Sequence, residues 1–190
     1  MKSNRGESAI LAVHLLALAA TLGPPLFFGA VVAPASFRLL PTRDLAAALQ
    51  SPILTRLCWT LEGGFAVLFV TSWLLTRRWG APRGLAAFAT RAPLLGIIGA
   101  VVIEKLLIPR IDRIREEAPG LIDQLPAADP GRILLARTHR LATGFFAVEI
   151  GAAALMLVVT VRLVLRRGGG PAAPTTTLRD APKLLDLSGV

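Results

Sequence analysis

Cysteine occurs once in this chain, at Cys58, and histidine twice, at His14 and His139. A single thiol excludes an intrachain disulfide and a Cys-rich metal site. Two histidines without suitable cysteines argue against a catalytic zinc. No Gly-rich phosphate loop, nucleophile elbow or His-Glu-x-x-His pattern occurs. Charge is also scarce: Asp, Glu, Lys and Arg make up 17%, with 21 basic against 12 acidic residues. The resulting net charge of +9 sits on residues that flank long apolar runs. It reads as a headgroup-facing pattern, and no nucleic-acid partner is expected. No cofactor is expected either.

What the chain does have is apolar length. Hydrophobic residues make up 54% of the 190 residues, and the mean hydropathy is +0.62. The excess lies in four runs. A bilayer core of about 30 Å takes about 20 apolar residues per helix. Four such spans consume roughly half the chain, which leaves no sizeable soluble core. The expected fold is all-α, an integral membrane four-helix bundle in contact with the lipid bilayer. Its spans fall at about 8–33, 52–75, 85–108 and 140–165.

A basic head over 1–7 precedes the membrane domain, 8–167, and a tail of linker composition over 168–190 comes after it and is expected to be disordered. The first apolar run, Ala9 to Ala33, exceeds the 7–15 residues of a signal-peptide core, so it is expected to be a retained helix. Thr42 reads as the cap of a short helix over 42–50, and Pro52 as a first-turn proline. Pro109 is expected to end the third span. The connection 110–138 carries apolar residues at helical spacing and is expected to lie on the membrane surface.

An internal repeat is suggested by two matches. Val31-Val32-Ala33-Pro34 leads to Arg38, and Leu107-Ile108-Pro109 leads to Arg113. Leu61-Glu62-Gly63-Gly64 matches Val148-Glu149-Ile150-Gly151. Two helical hairpins in parallel would give this pattern. Of the 21 Lys and Arg, the side bearing both termini carries slightly more, and more of them near span ends. Both termini are therefore expected in the cytoplasm.

Ionisable groups inside a span need a reason. Glu62 and Glu149 both fall roughly 13–15 Å from the same face by helix rise, so they could converge near the midplane. Two desolvated carboxylates close together cannot both ionise easily. That suits proton relay, or cation binding coupled to deprotonation. The bland alternative is a pair of protonated glutamates serving as interhelical glue. Pro24-Pro25 would deprive the carbonyls near Ala20 and Thr21 of partners, and such breaks can line ligand sites. Thr21, Pro24 and Pro25 therefore join Glu62 and Glu149 as the candidate site.

A secondary polar set comprises His14, His139, Arg140 and Glu104. The two histidines are expected near opposite faces, roughly 20–25 Å apart, which argues against one haem using both. Glu104-Lys105 reads as mostly structural, with Glu104 pairing to Arg137 or Arg140. The glycines at 23, 29, 63, 64, 96, 99, 144 and 151 are expected at close helix contacts.

The run HLLALAATLGPPLFFGAVVAPASFRLLP resembles the opening of the transmembrane protein 205-like family. The matching features are His14, Gly23, Phe27-Phe28, and the exit from Val31 to Phe37. PRIDRIRE at 109–116, the His139-Arg140 pair and Glu149 extend the resemblance over residues 8–165. Where that family shows Trp-x-Gly, this chain has Thr21-Leu22-Gly23 and then Pro24-Pro25. The resemblance implies a four-helix, multi-pass protein of the bacterial inner membrane, without an established reaction. A weaker likeness to copper-resistance membrane proteins and to the haem-binding protoporphyrinogen oxidase of bacteria rests on His14 alone.

These residues support three functional readings. The first is a protein that binds or passes a small solute or ion at the mid-membrane glutamates, with homo-oligomerisation expected. The second is a non-catalytic scaffold or assembly partner working through 110–138. The third, a haem redox protein, is disfavoured by the histidine geometry.

Overall fold

The chain is described by a computed structural model over residues 5–168. The first four residues of the basic head and the tail from 169 lie outside the described residues. Among the described residues all regular structure is helical. The elements are α1 (Arg5–Phe27), α2 (Ala33–Leu39), α3 (Arg43–Arg78), α4 (Arg83–Val102), α5 (Ile108–Glu116) and α6 (Pro130–Gly168). They form four continuous rods, each long and apolar enough to cross a membrane: Arg5–Leu39, Arg43–Arg78, Arg83–Glu116 and Pro130–Arg167. This is the pattern of a membrane protein, and it fits a membrane bundle.

Rods of 34 to 38 residues span about 50–57 Å at 1.5 Å per residue. A hydrocarbon core is only about 30 Å thick, so their ends reach beyond it. The outer surface is apolar where a lipid face would require it: Leu16, Leu95 and Val148 are 71%, 67% and 69% exposed.

The rods are arranged as a ring. The first packs on α3 and α6, α4 packs on the same two, and α1 and α4 occupy opposite corners. Leu61, Phe65 and Leu68 of α3 and Met156 of α6 form the buried centre. Gly96 makes room for it, since a Cβ there would lie 2.6 Å from the Phe65 ring.

Two rods carry a five-residue π turn, at Phe28–Val32 and at Ile103–Leu107. In each the N–H just beyond the turn bonds five residues back, Ala33 to Phe28 O and Ile108 to Ile103 O. In each a proline stands second in the next helix, Pro34 and Pro109. A proline ring clashes with the carbonyl four residues earlier. Here that residue is the middle one of the turn, Ala30 or Lys105, and the widened turn moves its carbonyl aside. The third rod therefore continues through Pro109 to Glu116, contrary to the expected stop.

The connections differ from the sequence expectation elsewhere too. Thr42 does cap a helix, its Oγ1 accepting from Leu45 N (3.1 Å). That helix is α3 itself, unbroken to Arg78, so Pro52 lies in its interior rather than its first turn. Ala48 and Pro52 are both exposed, which leaves the freed carbonyl facing outward. Of the expected surface piece 110–138, residues 110–116 extend the third rod and 130–138 open the fourth. Asp129 fixes that start: its Oδ1 accepts from Gly131 N (2.8 Å) and Arg132 N (3.2 Å), and Pro130 comes next as a first-turn proline.

The α3–α4 turn closes with Gly80 at φ +59° and Ala81 N–H returning to Thr76 O (3.1 Å), a Schellman-type ending. At this end Arg77 stacks over Trp73 at 4.2 Å, and Arg167 pairs with Glu7. An aromatic and basic belt of this kind suits a membrane–water boundary.

Candidate functional site: a carboxyl cluster between three rods

Three glutamates lie in the region where the second, third and fourth rods adjoin. Glu62 projects from the middle of α3, and Glu149 from the middle of α6. Glu104 stands in the second π turn. Glu62 and Glu104 are near enough for their carboxyls to act on each other, with no hydrogen bond formed between them. Glu149 lies close enough to feel the charge of Glu62. Its carboxyl presses against the bare face of Gly99, where a Cβ would sit 2.7 Å from Oε1. Buried Cys58, one turn from Glu62 on α3, is within electrostatic reach of all three.

Glu104 is the best held of the three. Its Oε1 accepts from Trp59 Nε1 (2.6 Å) and from Lys105 Nζ (2.8 Å). Lys105 is the cation nearest the cluster and is itself 63% exposed at the side chain, against 5% for Glu104. Four carboxyl oxygens are sealed from solvent without a partner: Glu62 Oε1, Glu104 Oε2, and both of Glu149. A buried carboxylate without donors is costly. The arrangement therefore calls for a proton or a cation among these groups.

The three carboxyls do not converge into a cage. Among the described residues no group of three or more His, Cys, Asp or Glu could hold a metal ion. The geometry is a facing pair, Glu62 and Glu104, with Glu149 one step away. A groove of about 530 Å³ leads to it from the end away from the termini. Glu104, Asp112 and Glu116 line that groove at helical spacing, with Thr55 opposite on α3. Polar side chains, with Lys105 and Arg113 among them, thus run from the end of α5 as far as Glu104.

The candidate residues on α1 belong elsewhere. Helix α1 continues as an α-helix through Pro24-Pro25 to Phe27. Pro24 is exposed, and Pro25 is buried. Thr21 points its hydroxyl at its own helix, to Ala17 O and Leu18 O (3.0 Å each). Its methyl packs on Gly64 of α3. The irregular backbone at the glutamates is the π turn bearing Glu104, not the double proline. Of the glycines expected at helix contacts, only 64, 96 and 99 meet a neighbouring rod closely; 23, 29, 63, 144 and 151 face open space.

His14 forms a separate polar centre nearer the termini. Its Nδ1 lies 2.8 Å from Thr71 Oγ1 and its Nε2 2.9 Å from Thr160 Oγ1. One imidazole thus ties α1 to both α3 and α6. Thr160 is 21 residues along α6 from His139, about 31 Å by helix rise. His139 is exposed and faces Arg115 and Asp112 instead. Arg140 is exposed, and its Nε bonds to Ala136 O in its own helix (3.3 Å). Neither Arg140 nor Arg137 reaches Glu104, which is taken by Trp59 and Lys105.

Fold and site together define an all-helical protein with four rods fit to cross a membrane and a carboxyl cluster at mid-height. A family model described as "Domain of unknown function (DUF4149)" matches residues 16–119, more than half of the chain. The chain belongs to that family. The match holds Glu62, Glu104 and both π turns, and ends before Glu149. No curated protein and no solved structure matches the chain significantly.

Proposed function

We propose that this chain is a four-helix integral protein of the bacterial inner membrane that binds or passes a small ion at the Glu62–Glu104–Glu149 cluster. The observation that carries the reading is the set of four buried, unpartnered carboxyl oxygens contributed by three rods. Carboxyls in that state take up a proton, and the groove lined by Asp112, Glu116, Lys105 and Arg113 gives it a polar route as far as Glu104. The substrate class is cationic because nothing in the cluster except Lys105 offers a positive charge.

The same proposal takes both termini as cytoplasmic and the rods as two repeated helical hairpins. The repeat is supported by the two π turns, each with its proline in the same register. Kinship with the transmembrane protein 205-like family is supported by His14, Phe27-Phe28 and the Pro109–Glu116 motif. Assembly with further copies of the chain belongs to the proposal as well.

The test is flux across liposomes containing the full-length protein, read with dyes for protons, sodium and potassium. Wild type should give pH-dependent flux of at least one of these. The Glu62→Gln/Glu149→Gln variant should abolish it. Wild-type liposomes no leakier than empty ones, or a double variant as active as wild type, would refute the reading.

A further inference from the structure

At the end of the ring away from the termini, a second charged site lies apart from the glutamates. There α2, α3, α5, α6 and the turn at Ile122–Gln124 line an open cavity of about 370 Å³. Its charged lining is Arg43, Asp44, Arg115, Asp123, Arg132 and His139. Arg115 and His139 also wall a smaller inner chamber that reaches Ser51 and Asp112.

Arg115 is the centre of this group. The charges of Asp44, Asp112 and Asp123 all act on it, Asp44 most strongly. Among the described residues, however, neither Arg115 nor Asp44 forms an ion pair or a side-chain hydrogen bond; the ion pairs are Lys105–Glu104 and Arg167–Glu7. Arg115 Nε and Asp44 Oδ2 are both sealed from solvent with no partner. Ser51 occupies Asp112, donating to its Oδ2 (2.7 Å), and Arg132 is committed to Leu125 O (2.6 Å). A guanidinium and a carboxylate thus line the same cavity, with no ion pair between them.

The charge balance narrows what fits the cavity. Three arginines and two aspartates line the outer cavity. A simple anion would meet Asp44 and Asp123, and a simple cation would meet the arginines. A molecule carrying both charges satisfies both sets. Depth narrows it further. Arg115 lies 11 residues beyond Glu104, and His139 lies 10 residues before Glu149. These separations correspond to about 15–17 Å by helix rise. If the glutamates lie near the midplane, that is the boundary of a hydrocarbon core about 30 Å thick.

We propose that this cavity binds a zwitterion with an oxyanion and a primary ammonium a few bonds apart, the phosphoethanolamine class. The oxyanion sits on Arg115, beside His139, because a guanidinium fork matches oxyanions. The ammonium sits on Asp44, the carboxylate that lines the same cavity without an ion-pair partner. Such a group is supplied either by a phospholipid headgroup or by a free solute.

The test uses full-length protein purified in a maltoside detergent. Titration calorimetry with phosphoethanolamine and with inorganic phosphate reads the soluble arm. Mass spectrometry of lipid retained from phosphatidylethanolamine or phosphatidylglycerol discs reads the lipid arm. Phosphoethanolamine should bind at least about tenfold more tightly than phosphate, or phosphatidylethanolamine should be retained selectively. The first result assigns a free solute and the second a lipid headgroup. Asp44→Asn, nearly isosteric, should erase the preference for the zwitterion in either arm. Arg115→Gln should weaken every ligand. No binding in either arm, or an Asp44→Asn variant that keeps the preference, overturns the proposal.

Discussion

Glu149 of α6 occupies the space that Gly99 of α4 leaves by having no side chain. A Cβ at Gly99 would stand 2.7 Å from Glu149 Oε1, while one at Gly96, a turn earlier, would stand 2.6 Å from the Phe65 ring. The distances are alike, but the consequences are not. A carboxyl at the end of a flexible chain can swing away, whereas Phe65 is completely buried. Gly99→Ala should keep most of its stability, within about 1 kcal/mol, and lose ion flux. Gly96→Ala should destabilise by about 1–3 kcal/mol, the usual range for overpacking. Thermal unfolding in detergent, set beside liposome flux, checks both. Equal losses of stability would contradict the assignment.

A second close contact joins α1 to α3. A Cβ on Gly64 would fall 2.5 Å from Thr21 Cγ2. Gly64→Ala should therefore destabilise by about 1–3 kcal/mol. Thr21→Ser removes the methyl and keeps the hydroxyl that bonds Ala17 O and Leu18 O. The double variant should recover most of the loss, leaving a coupling of about 1 kcal/mol or more in a mutant cycle. Additive losses would mean the contact carries no energy.

His14 bonds two rods at once, through Thr71 and Thr160. Interhelical hydrogen bonds in membranes average about 0.6 kcal/mol. His14→Ala should thus cost roughly 1 kcal/mol for the two bonds, plus the packing lost from a side chain that is only 2% exposed. Thr71→Val and Thr160→Val should each remove about half of the bonding part. An unfolding midpoint unchanged in all three variants would sink this role.

The four rods are legible in the sequence because hydropathy is a property of composition over some twenty residues. Glu62 and Glu149 are legible because each stands alone in a long apolar run. Glu104 gives no such sign of being their partner. It lies next to Lys105 and five residues before Pro109, so the pair reads as the end of a span. The π turn extends the helix past that proline, and a widened turn leaves no periodicity signal of its own. Pro24-Pro25 misleads in the opposite direction. It looks like a break, but α1 runs through it, and its corner of the ring is diagonal to α4. The start of the last rod at Pro130 does have a local signal in Asp129-Pro130. The cavity shared by Arg115 and Asp44 has none, because it depends on how several elements meet.

The π turn itself gives the most direct test of the cluster. Pro109 excludes an α-helical bond to Lys105 O, and the turn opens in response. Pro109→Ala restores the N–H and lets residues 103–107 relax towards α-helical geometry. Each residue of slip rotates one side of the turn against the other by about 100°. Glu104 would then turn away from Glu62 and from Trp59, whose indole now donates to it at 2.6 Å. In a background with Trp73 and Trp79 changed to phenylalanine, Pro109→Ala should shift the emission of Trp59 and reduce flux. Pro34→Ala acts on the matching turn of the α1–α2 rod, at the corner opposite α4. It should leave Trp59 emission as it was. An unmoved Trp59 spectrum in Pro109→Ala would mean that the proline does not hold the turn, and that Glu104 owes its position to Trp59 and Lys105 alone.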